Sequence, residues 1–384
     1  MTVKNVYEQY FSEYFKADSA FSFWKARVAL YAILKALGVG DGDEVILPGY
    51  TCVMDVNPIM YLGAKPVYVD IEPDTFNMNV DLLEDKITPA TKVIIAQHTY
   101  GYVCDMDKIK EIASRHNVTV IEDCCLCFGS TYKGRLAGTM GVASYFSGQW
   151  NKPFTTGLGG VAIAFNSDLA ARIDELCKQE MAAPSLKEKL MLAAQYCVYK
   201  TFIYPRTTAM AQSLFRWLTK KGIVVGSSST EEFEPVMADD FFKGMSSLQA
   251  KWGAGQLAKI DKNIEHRRSM AALYDQMLEE KGWQGRKYDA NVQDPVMVRY
   301  PVRINDKDKA IEMAASAGVE LGSWFECPLH PIETPLEKYY YEIGMCPQAE
   351  KAAKEVVNLP LHPRAGAATV KRTVDFITQF SQVL

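Results

Sequence analysis

The sequence lacks the features that mark nucleic-acid-binding, membrane-spanning or exported proteins. It has 42 Lys and Arg residues against 46 Asp and Glu residues, so no basic excess indicates a nucleic-acid partner. No apolar run reaches the roughly 18 residues that a membrane-spanning helix needs. The first ten residues have no apolar signal core, and we therefore expect a cytoplasmic protein.

Cysteine occurs nine times, an odd number in a long chain, which argues against a secreted disulfide framework. Cys124, Cys125 and Cys127 form one tight group. Zinc sites usually draw their ligands from two separated pairs, and no second pair of cysteines or histidines follows at a suitable spacing. We expect this group to pack as small apolar residues, with no metal bound.

Short β-branched runs alternate with helical patterns in the first half of the chain. The strand-like runs are 45–47, 67–69, 93–96, 118–121 and 161–164, and the helix-like segments are 25–37, 52–62, 80–86 and 106–116. This alternation predicts an α/β fold with a largely parallel sheet. Ligands bind such sheets at the carboxyl ends of the strands, so the residues after each strand are the candidates for a binding site.

The pattern changes after about residue 176. Residues 178–240 form an insertion rich in basic and aromatic side chains, and a long helical pattern follows at 246–281. Beyond it we expect a smaller α+β unit with strands near 296–304 and 321–324 and helices at 307–317, 348–356 and 368–380. These changes predict a large domain, 1–250, which carries the insertion, and a C-terminal domain, 251–384.

Three features at predicted strand ends suggest one site. Asp123 closes an apolar strand, Lys152 follows Ser147 by five residues, and a glycine-rich turn occupies 157–160. A lysine can form a Schiff base with pyridoxal phosphate (PLP), and a carboxylate can keep the pyridine nitrogen protonated. Hydroxyl and backbone N–H groups can bind the phosphate. Taken singly each feature is weak, because a strand-end Asp often only caps a helix.

Ordered motifs along most of the chain strengthen this interpretation. They include Arg27-Val28-Ala29-Leu30, Gly42-Asp43-Glu44-Val45, Gln97-His98-Thr99-Tyr100-Gly101, Tyr132-Lys133-Gly134-Arg135 and Leu359-Pro360-Leu361-His362-Pro363. In this order they resemble the DegT/DnrJ/StrS family of PLP-dependent sugar aminotransferases, densely from 25 to 165 and thinly from 178 to 240. The resemblance implies fold type I, with a mostly parallel, seven-stranded-type sheet flanked by helices and a smaller C-terminal α+β domain.

The resemblance also assigns roles to single residues. It implies that Lys152 holds PLP as a Schiff base, that Asp123 pairs with the pyridine nitrogen and that Ser147 binds the phosphate. Arg27, followed by Val28, takes the position of a phosphate-binding small hydroxyl residue. An arginine could bind phosphate there through charge-assisted hydrogen bonds, or it could be an exposed helix residue.

Three positions depart from the family pattern. Leu126 replaces a glutamine that reaches the cofactor, and Cys52 replaces the aromatic residue that stacks on the pyridine ring. An aromatic pair contributes about 0.5–1.5 kcal/mol, part of which a thiol gives up. Phe242-Lys243-Gly244 stands where relatives have an Asn-x-Arg segment that reaches the neighbouring subunit, and Lys243 could replace that contact.

The resemblance predicts an aminotransferase that moves an amino group from glutamate to a nucleotide-linked keto or aldehyde sugar, for polysaccharide, envelope or secondary-metabolite synthesis. It also implies a homodimer with the site between subunits. Two alternatives remain: a PLP enzyme that catalyses dehydration or a synthase reaction, and a non-catalytic, ligand-sensing relative. His98 either faces the cofactor or is a satisfied core histidine, and Trp324, Phe325 and His330 either line the acceptor pocket or pack.

The basic, aromatic stretch 186–221 allows two interpretations. Basic residues could meet anionic lipid head groups while Phe202, Tyr204, Phe215 and Trp217 enter the interface, which predicts peripheral membrane contact. The other interpretation is an apolar dimer interface or a cover over the site, and we favour it.

Overall fold

A seven-stranded sheet forms the centre of the molecule. The computed structural model describes residues 2–150, 152–203, 233–332 and 335–383. The strands of the sheet are β1 (Ser19–Phe23), β2 (Glu44–Pro48), β4 (Lys65–Val69), β5 (Thr91–Gln97), β6 (Thr119–Asp123), β9 (Ala143–Ser147) and β10 (Gly160–Ala164). Their spatial order is β1-β10-β9-β6-β5-β2-β4. Every neighbouring pair from β9 to β4 is parallel, and only β10 runs antiparallel to its neighbours. The predicted α/β fold with a largely parallel sheet is confirmed.

Both faces of the sheet are buried. Along β5, Val93 and Ile95 belong to one hydrophobic cluster, whereas Ile94 and Ala96 belong to a second cluster on the opposite face. Side chains alternate between faces along a strand, so a continuous apolar run indicates that helices cover both sides. The helices in the first half are α1 (Val3–Phe15), α2 (Ala26–Ala36), α3 (Val53–Tyr61), α4 (Met106–Arg115), α5 (Ser167–Glu180) and α6 (Leu186–Val198).

Helix α1 and strand β1 were not predicted. Tyr7, Phe11 and Phe15 recur at a spacing of four, which places them on one side of α1, and all three are buried. They pack against an aromatic cluster at the second face of the sheet, with ring centres 4.6 Å apart for Phe15 and Phe146. The helical spacing was present in the sequence, but polar residues between the aromatic residues obscured it.

The C-terminal elements differ from the prediction in two places. The expected long helix 246–281 is two helices, α7 (Ser247–Leu257) and α8 (Ile260–Glu279), because the backbone leaves the helical conformation at Lys259 (φ −124°). The expected strand 321–324 makes only a single bridge, from Gly322 to Asn358. The remaining elements are α9 (Lys307–Ala317), α10 (Pro347–Glu355), α11 (Ala367–Ile377) and the antiparallel pair β12 (Arg299–Arg303) and β14 (Val356–Pro360).

Short elements complete the fold. The predicted helix 80–86 consists of two 3-10 turns, and short strands are β3 (Thr51–Cys52), β7 (Thr131–Tyr132), β8 (Arg135–Leu136), β11 (Gln293–Asp294) and β13 (Leu329–His330). The division into domains at residue 250 stays a prediction, and the largest buried cluster includes residues from both sides of that position. Residues 204–232 of the insertion lie outside the described residues. Among the helices that the structure describes, none is long and apolar enough to cross a membrane.

Gly160 allows the start of α2 to approach the sheet closely. A Cβ atom at this position would lie 2.4 Å from Cα of Ala26. We expect Gly160→Ala to lower the free energy of unfolding by about 1–3 kcal/mol, because backbone must move to accommodate the methyl group. Chemical denaturation measures this value. Gly40→Ala is the matched control, since nothing lies within 4 Å of the Cβ it adds; equal effects of the two variants would contradict the packing argument.

Candidate active site

The register of the sheet aligns three polar side chains. Asp123 of β6 pairs with Gln97 of β5 on one side and with Tyr145 of β9 on the other. All three lie near the carboxyl ends of parallel strands, which meet at one edge of the sheet. The residues that follow these strands therefore converge on the same place.

Lys152 supplies the amine of the candidate site. It lies in the turn after β9, where its backbone N–H donates to the carbonyl oxygen of Gln149 at 3.0 Å. Burial lowers the pKa of the Lys152 amine, while neighbouring ionisable groups, led by Cys125 and then Asp123, act in the opposite direction. The Nζ atom lies 4.8 Å from the centre of the Trp324 ring. A lysine with a lowered pKa has more of the free amine that can attack a carbonyl group.

Asp123 supplies a buried carboxylate next to this amine. Its side chain is 4% exposed, and Oδ1 accepts the N–H of Cys125 at 2.8 Å. The structure therefore brings together the lysine and the aspartate that the sequence predicted for the site. A carboxylate in this setting can hold a ring nitrogen in its protonated form.

A second carboxyl group, that of Asp55, was missed at the level of sequence. It lies in the first turn of α3, and its Oδ1 accepts the hydroxyl of Tyr145 at 3.0 Å. Burial, and next the charge of Asp123, raises the pKa of Asp55 to about 8, although Lys152 acts in the opposite direction. An acidic residue in the first turn of a helix is ordinary, because it suits the helix dipole. Nothing in the local sequence therefore separated Asp55 from a surface residue.

The start of α2 faces the same groups. Arg27 is 8% exposed, and its charge lowers the pKa of both Cys52 and Asp55 against the effect of burial. The alternative that Arg27 is an exposed helix residue is therefore wrong. Lys25 at the N-cap has no side-chain oxygen that could cap the helix. Backbone N–H groups at a helix start, together with a guanidinium group, can bind a phosphate.

Two other residues predicted on the phosphate side differ in their placement. Ser147 ends β9 and is 8% exposed, and its Oγ accepts the N–H of Gln149 at a long 3.4 Å. The side chain of Val28 packs in the hydrophobic core with 1% exposure, and its N–H donates to the carbonyl oxygen of Lys25 at 3.2 Å. The structure thus places Ser147 beside the lysine turn, whereas it does not bring the side chain of Val28 to the site.

Comparison with known proteins places this geometry in a family. The profile of the DegT/DnrJ/EryC1/StrS aminotransferase family matches residues 3–197 and 215–378. The chain belongs to this family. It is therefore an aminotransferase, and PLP is the cofactor of the family.

Two relatives cover most of the aminotransferase. GDP-perosamine synthase of Caulobacter vibrioides is 30% identical over 379 residues, which cover 97% of this chain and 88% of the relative. The UDP-2-acetamido-2-deoxy-3-oxo-D-glucuronate aminotransferase of Pseudomonas aeruginosa is 30% identical over 347 residues, which cover 89% of this chain and 81% of the relative.

Solved structures support the same fold. DesV of S. venezuelae, in complex with a ketimine intermediate, has a TM-score of 0.76 at 23% identity and covers 99% of this chain and 89% of its own. A protein of Streptococcus pneumoniae described as a sugar aminotransferase has a PMP form with a TM-score of 0.77 at 23% identity, covering 99% of this chain and 92% of its own. Its PLP form has also been solved.

The residues of the aminotransferase fit PLP. An amine and a carboxylate lie together, and the start of α2 brings Arg27 close enough to act on Cys52 and Asp55 of the same cluster. Cys52, which precedes α3, lies close enough to Lys152 for the charge of the lysine to act on its thiol. Burial raises the pKa of Cys52 to about 12, so the thiol is neutral at ordinary pH. Leu126 is 5% exposed and packs in the core, where it can offer the cofactor no polar contact.

His98 is a satisfied core histidine. Its Nε2 lies 2.9 Å from Oε2 of Glu122, and its Nδ1 accepts the N–H of Cys104 at 3.2 Å. Burial alone would raise the pKa of Glu122, but hydrogen bonds from His98 and from the backbone amides of Gly138 and Gly141 hold it below its usual range. Both ring nitrogens of His98 have partners within the chain, as expected of a core histidine.

The cysteine group packs beside this pair. Donor atoms of His98, Cys124 and Cys127 lie within 4.8 Å of one another, and all three residues are buried. Because the ring nitrogens of His98 already have partners, packing accounts for this arrangement. The expectation that no metal binds there stays a prediction.

Lys243 has partners within its own chain. Its Nζ lies 2.6 Å from Oε1 of Glu188 and also binds Asp240, and the residue is 8% exposed. These contacts within the chain engage Lys243, and the hypothesis that it replaces a contact to the neighbouring subunit stays a prediction. The sequence could not show the pair with Glu188, which is far away along the chain.

Part of the insertion covers the lysine turn. Tyr199 donates its hydroxyl to the carbonyl oxygen of Trp150 at 2.6 Å, and the two rings lie 4.9 Å apart. Leu192 of α6 is 1% exposed and clusters with Leu158 of the glycine-rich turn and with Trp150. The start of the insertion thus packs on the residues that precede Lys152. Residues 204–221, which include most of the aromatic residues of the membrane interpretation, lie outside the described residues.

The raised pKa of Asp55 predicts how the stability of the cofactor-free protein depends on pH. The folded state retains the Asp55 proton up to about pH 8, whereas the unfolded chain releases it near pH 4. Because the folded state binds more protons in this window, Asp55 makes stability fall as pH rises from about 4 to 8. We expect Asp55→Asn to reduce this fall, as measured by denaturant unfolding across the pH range. Asp41→Asn, at an exposed site, is the control and should retain the wild-type slope; an unchanged slope in Asp55→Asn would refute the assignment.

Proposed function

We propose that the protein transfers an amino group from glutamate to the keto group of a nucleotide-linked sugar. The observation that carries this proposal is the placement of Lys152 beside Asp123, with the start of α2 on the phosphate side of the same cluster. The substrate class comes from the relatives, since a GDP-perosamine synthase and an aminotransferase for a UDP-linked keto sugar both align along most of the chain.

In this proposal each group of the cluster has a defined task. When bound, PLP supplies a ring that withdraws electrons from the carbon that bears the amino group. Lys152 would hold the cofactor through its amine; freed by the amino donor, it would take the proton from the carbon that bears the amino group and pass it to the aldehyde carbon of the cofactor. Asp123 would keep a proton on the ring nitrogen. Arg27, Ser147 and the N–H groups of α2 would bind the phosphate and fix the ring relative to Lys152.

The departures from the family pattern support two other candidates. Cys52 gives up ring stacking, and Leu126 removes a polar contact, so the cofactor is held by fewer groups than in the usual pattern. A PLP enzyme for dehydration or a synthase reaction would retain the cofactor but would not respond to glutamate alone. A non-catalytic relative would not retain the cofactor.

We also propose a homodimer in the cytoplasm, with the site at the subunit interface. Exposed apolar side chains beside the C-terminal elements support an interface, among them Val236 (64% exposed), Tyr340 (51%) and Ile343 (74%). Peripheral membrane contact through 186–221 remains the less favoured interpretation. Sedimentation would show the dimer, and absence of binding to anionic liposomes at low salt would end the membrane interpretation.

Absorbance spectroscopy tests the proposed function. With added PLP the wild-type protein should develop a visible band, and L-glutamate should bleach it as the amino group is taken up. Lys152→Ala should abolish turnover, and Asp123→Asn should retain the fold but slow the bleaching by about 100-fold or more, since general acid–base and ring-protonation effects of this size are typical. A band that ignores amino donors would favour dehydration or synthase chemistry, and no band at all would favour the non-catalytic relative.

Normal turnover by Lys152→Ala would contradict the assignment. Lys178→Ala is a suitable control, because this lysine is exposed on α5 and pairs only with Asp174 on the same helix in the described part of the chain. It should bind PLP and respond to glutamate as the wild-type protein does.

A further inference from the structure

A buried cation lies at the start of α9. Lys307 is 5% exposed, and its Nζ donates to the backbone carbonyl oxygens of Ser323 at 3.0 Å, Phe325 at 2.8 Å and Ala353 at 2.7 Å. An ammonium group has three donors, so these three carbonyls use its full capacity. The lysine therefore ties two separate segments of backbone to the helix start.

This placement is unfavourable for a lysine that has only a packing role. Burial disfavours the charged form and lowers the pKa of Lys307 to about 8. The first turn of a helix also carries the positive end of the helix dipole, which repels a cation. An apolar residue would avoid both effects. The carbonyl contacts offset both unfavourable effects. The role of Lys307 therefore follows from the backbone segments that these contacts hold.

The held segment is 323–325, and further groups fix its remaining polar atoms. The carbonyl oxygen of Trp324 accepts a hydrogen bond from Nδ2 of Asn358 at 2.8 Å and another from the hydroxyl of Tyr100. The N–H of Phe325 donates to the hydroxyl of Tyr50 at 3.3 Å. The backbone of three consecutive residues is thus held on both sides by side chains.

Trp324 is the side chain that this segment presents to the site. Its ring centre lies 4.8 Å from Nζ of Lys152, with the amine over the ring. An indole in this position attracts the protonated amine and keeps water from one side of it. The chain of contacts therefore runs from Lys307 through the backbone of 323–325 to the amine of Lys152.

We propose that Lys307 is a positioning residue, which fixes segment 323–325 so that the Trp324 indole covers Lys152 during the reaction. This inference rests on the proposed function, because it takes Lys152 as the lysine that holds the cofactor. Lys307 itself touches neither Lys152 nor the reacting atoms. Its effect on the reaction passes through Trp324.

Half-reaction kinetics with L-glutamate test this role. In Lys307→Met the three carbonyls lose their donor, and the indole is no longer fixed over Lys152. We expect the rate of bleaching at saturating glutamate to fall by about 10- to 100-fold, which is the scale that a shift of about 1 Å produces in an active site. The glutamate concentration at half-saturation should change much less. Lys309→Met, an exposed position two residues along the same helix, should behave as the wild-type protein does.

A double-mutant cycle separates positioning from a general loss of structure. If Lys307 acts through Trp324, adding Lys307→Met to Trp324→Ala should slow the reaction little further. If Lys307→Met instead slows the Trp324→Ala protein by the same factor as the wild-type protein, the proposal is wrong. Should Lys307→Met fail to fold, Tyr100→Phe removes a support of the Trp324 carbonyl in the same segment and should show the same non-additivity with Trp324→Ala.

Hydrogen–deuterium exchange gives a readout that does not need the cofactor. Amides of segment 323–327 should exchange faster in Lys307→Met than in Lys309→Met, whether or not PLP binds. If the wild-type protein never binds PLP, the proposed function fails while faster exchange still supports the role of Lys307 in holding the segment. Unchanged exchange in Lys307→Met would overturn the inference, whatever the fate of the proposed function.

Discussion

The register of the parallel sheet is the constraint on which the site depends. Gln97, Asp123 and Tyr145 lie in one row across β5, β6 and β9, and a shift of one residue in β6 would turn Asp123 to the other face. The network around Glu122 supports this register. The Glu122 carboxylate accepts the N–H groups of Gly138, Met140 and Gly141 at 2.6–2.7 Å and also contacts His98 at 2.9 Å. Glu122 thus points away from the site and holds β6 in place, while Asp123 points into it.

Desolvation gives the cluster its chemical character. The site places one amine among two carboxyl groups and two thiols, and Arg27 acts on one group of each kind. Burial lowers the pKa of Lys152 and raises that of Asp55 to about 8, so each group shifts toward its neutral form. Neighbouring opposite charges limit these shifts. Capture of a carbonyl compound requires an amine in its free form, and here the amine lies beside a carboxyl group that holds a proton.

The sequence predicted the parts of this site that follow strand ends in recognisable order. Asp123 and Lys152 were found because an apolar run ends on the first and a glycine-rich turn follows the second. Asp55 and Tyr145 were not, because an acid in the first turn of a helix and a tyrosine inside a strand are both ordinary. Trp324 was considered for the acceptor pocket, but its contact with Lys152 joins distant parts of the chain that no local pattern connects.

Two predicted elements differ from the structure because of interactions that no local pattern shows. The continuous helical pattern at 246–281 hides a break at Lys259, since residues 256–262 around the break include neither glycine nor proline. Segment 321–324 was expected to be a strand, yet only Gly322 pairs with β14. The carbonyl groups of Ser323 and Trp324 bond instead to the side chains of Lys307, Tyr100 and Asn358. Tertiary contacts made by buried polar side chains decided both the shape of this segment and its place beside Lys152.

The identity of the lysine that holds the cofactor is the central claim. The PLP-loaded protein should be reduced with borohydride, which fixes the cofactor to the amine that binds it, and then digested and analysed by mass spectrometry. We expect one modified peptide, with the added mass on Lys152. A cofactor fixed to a different lysine, or a protein that binds PLP without a reducible bond, would contradict it.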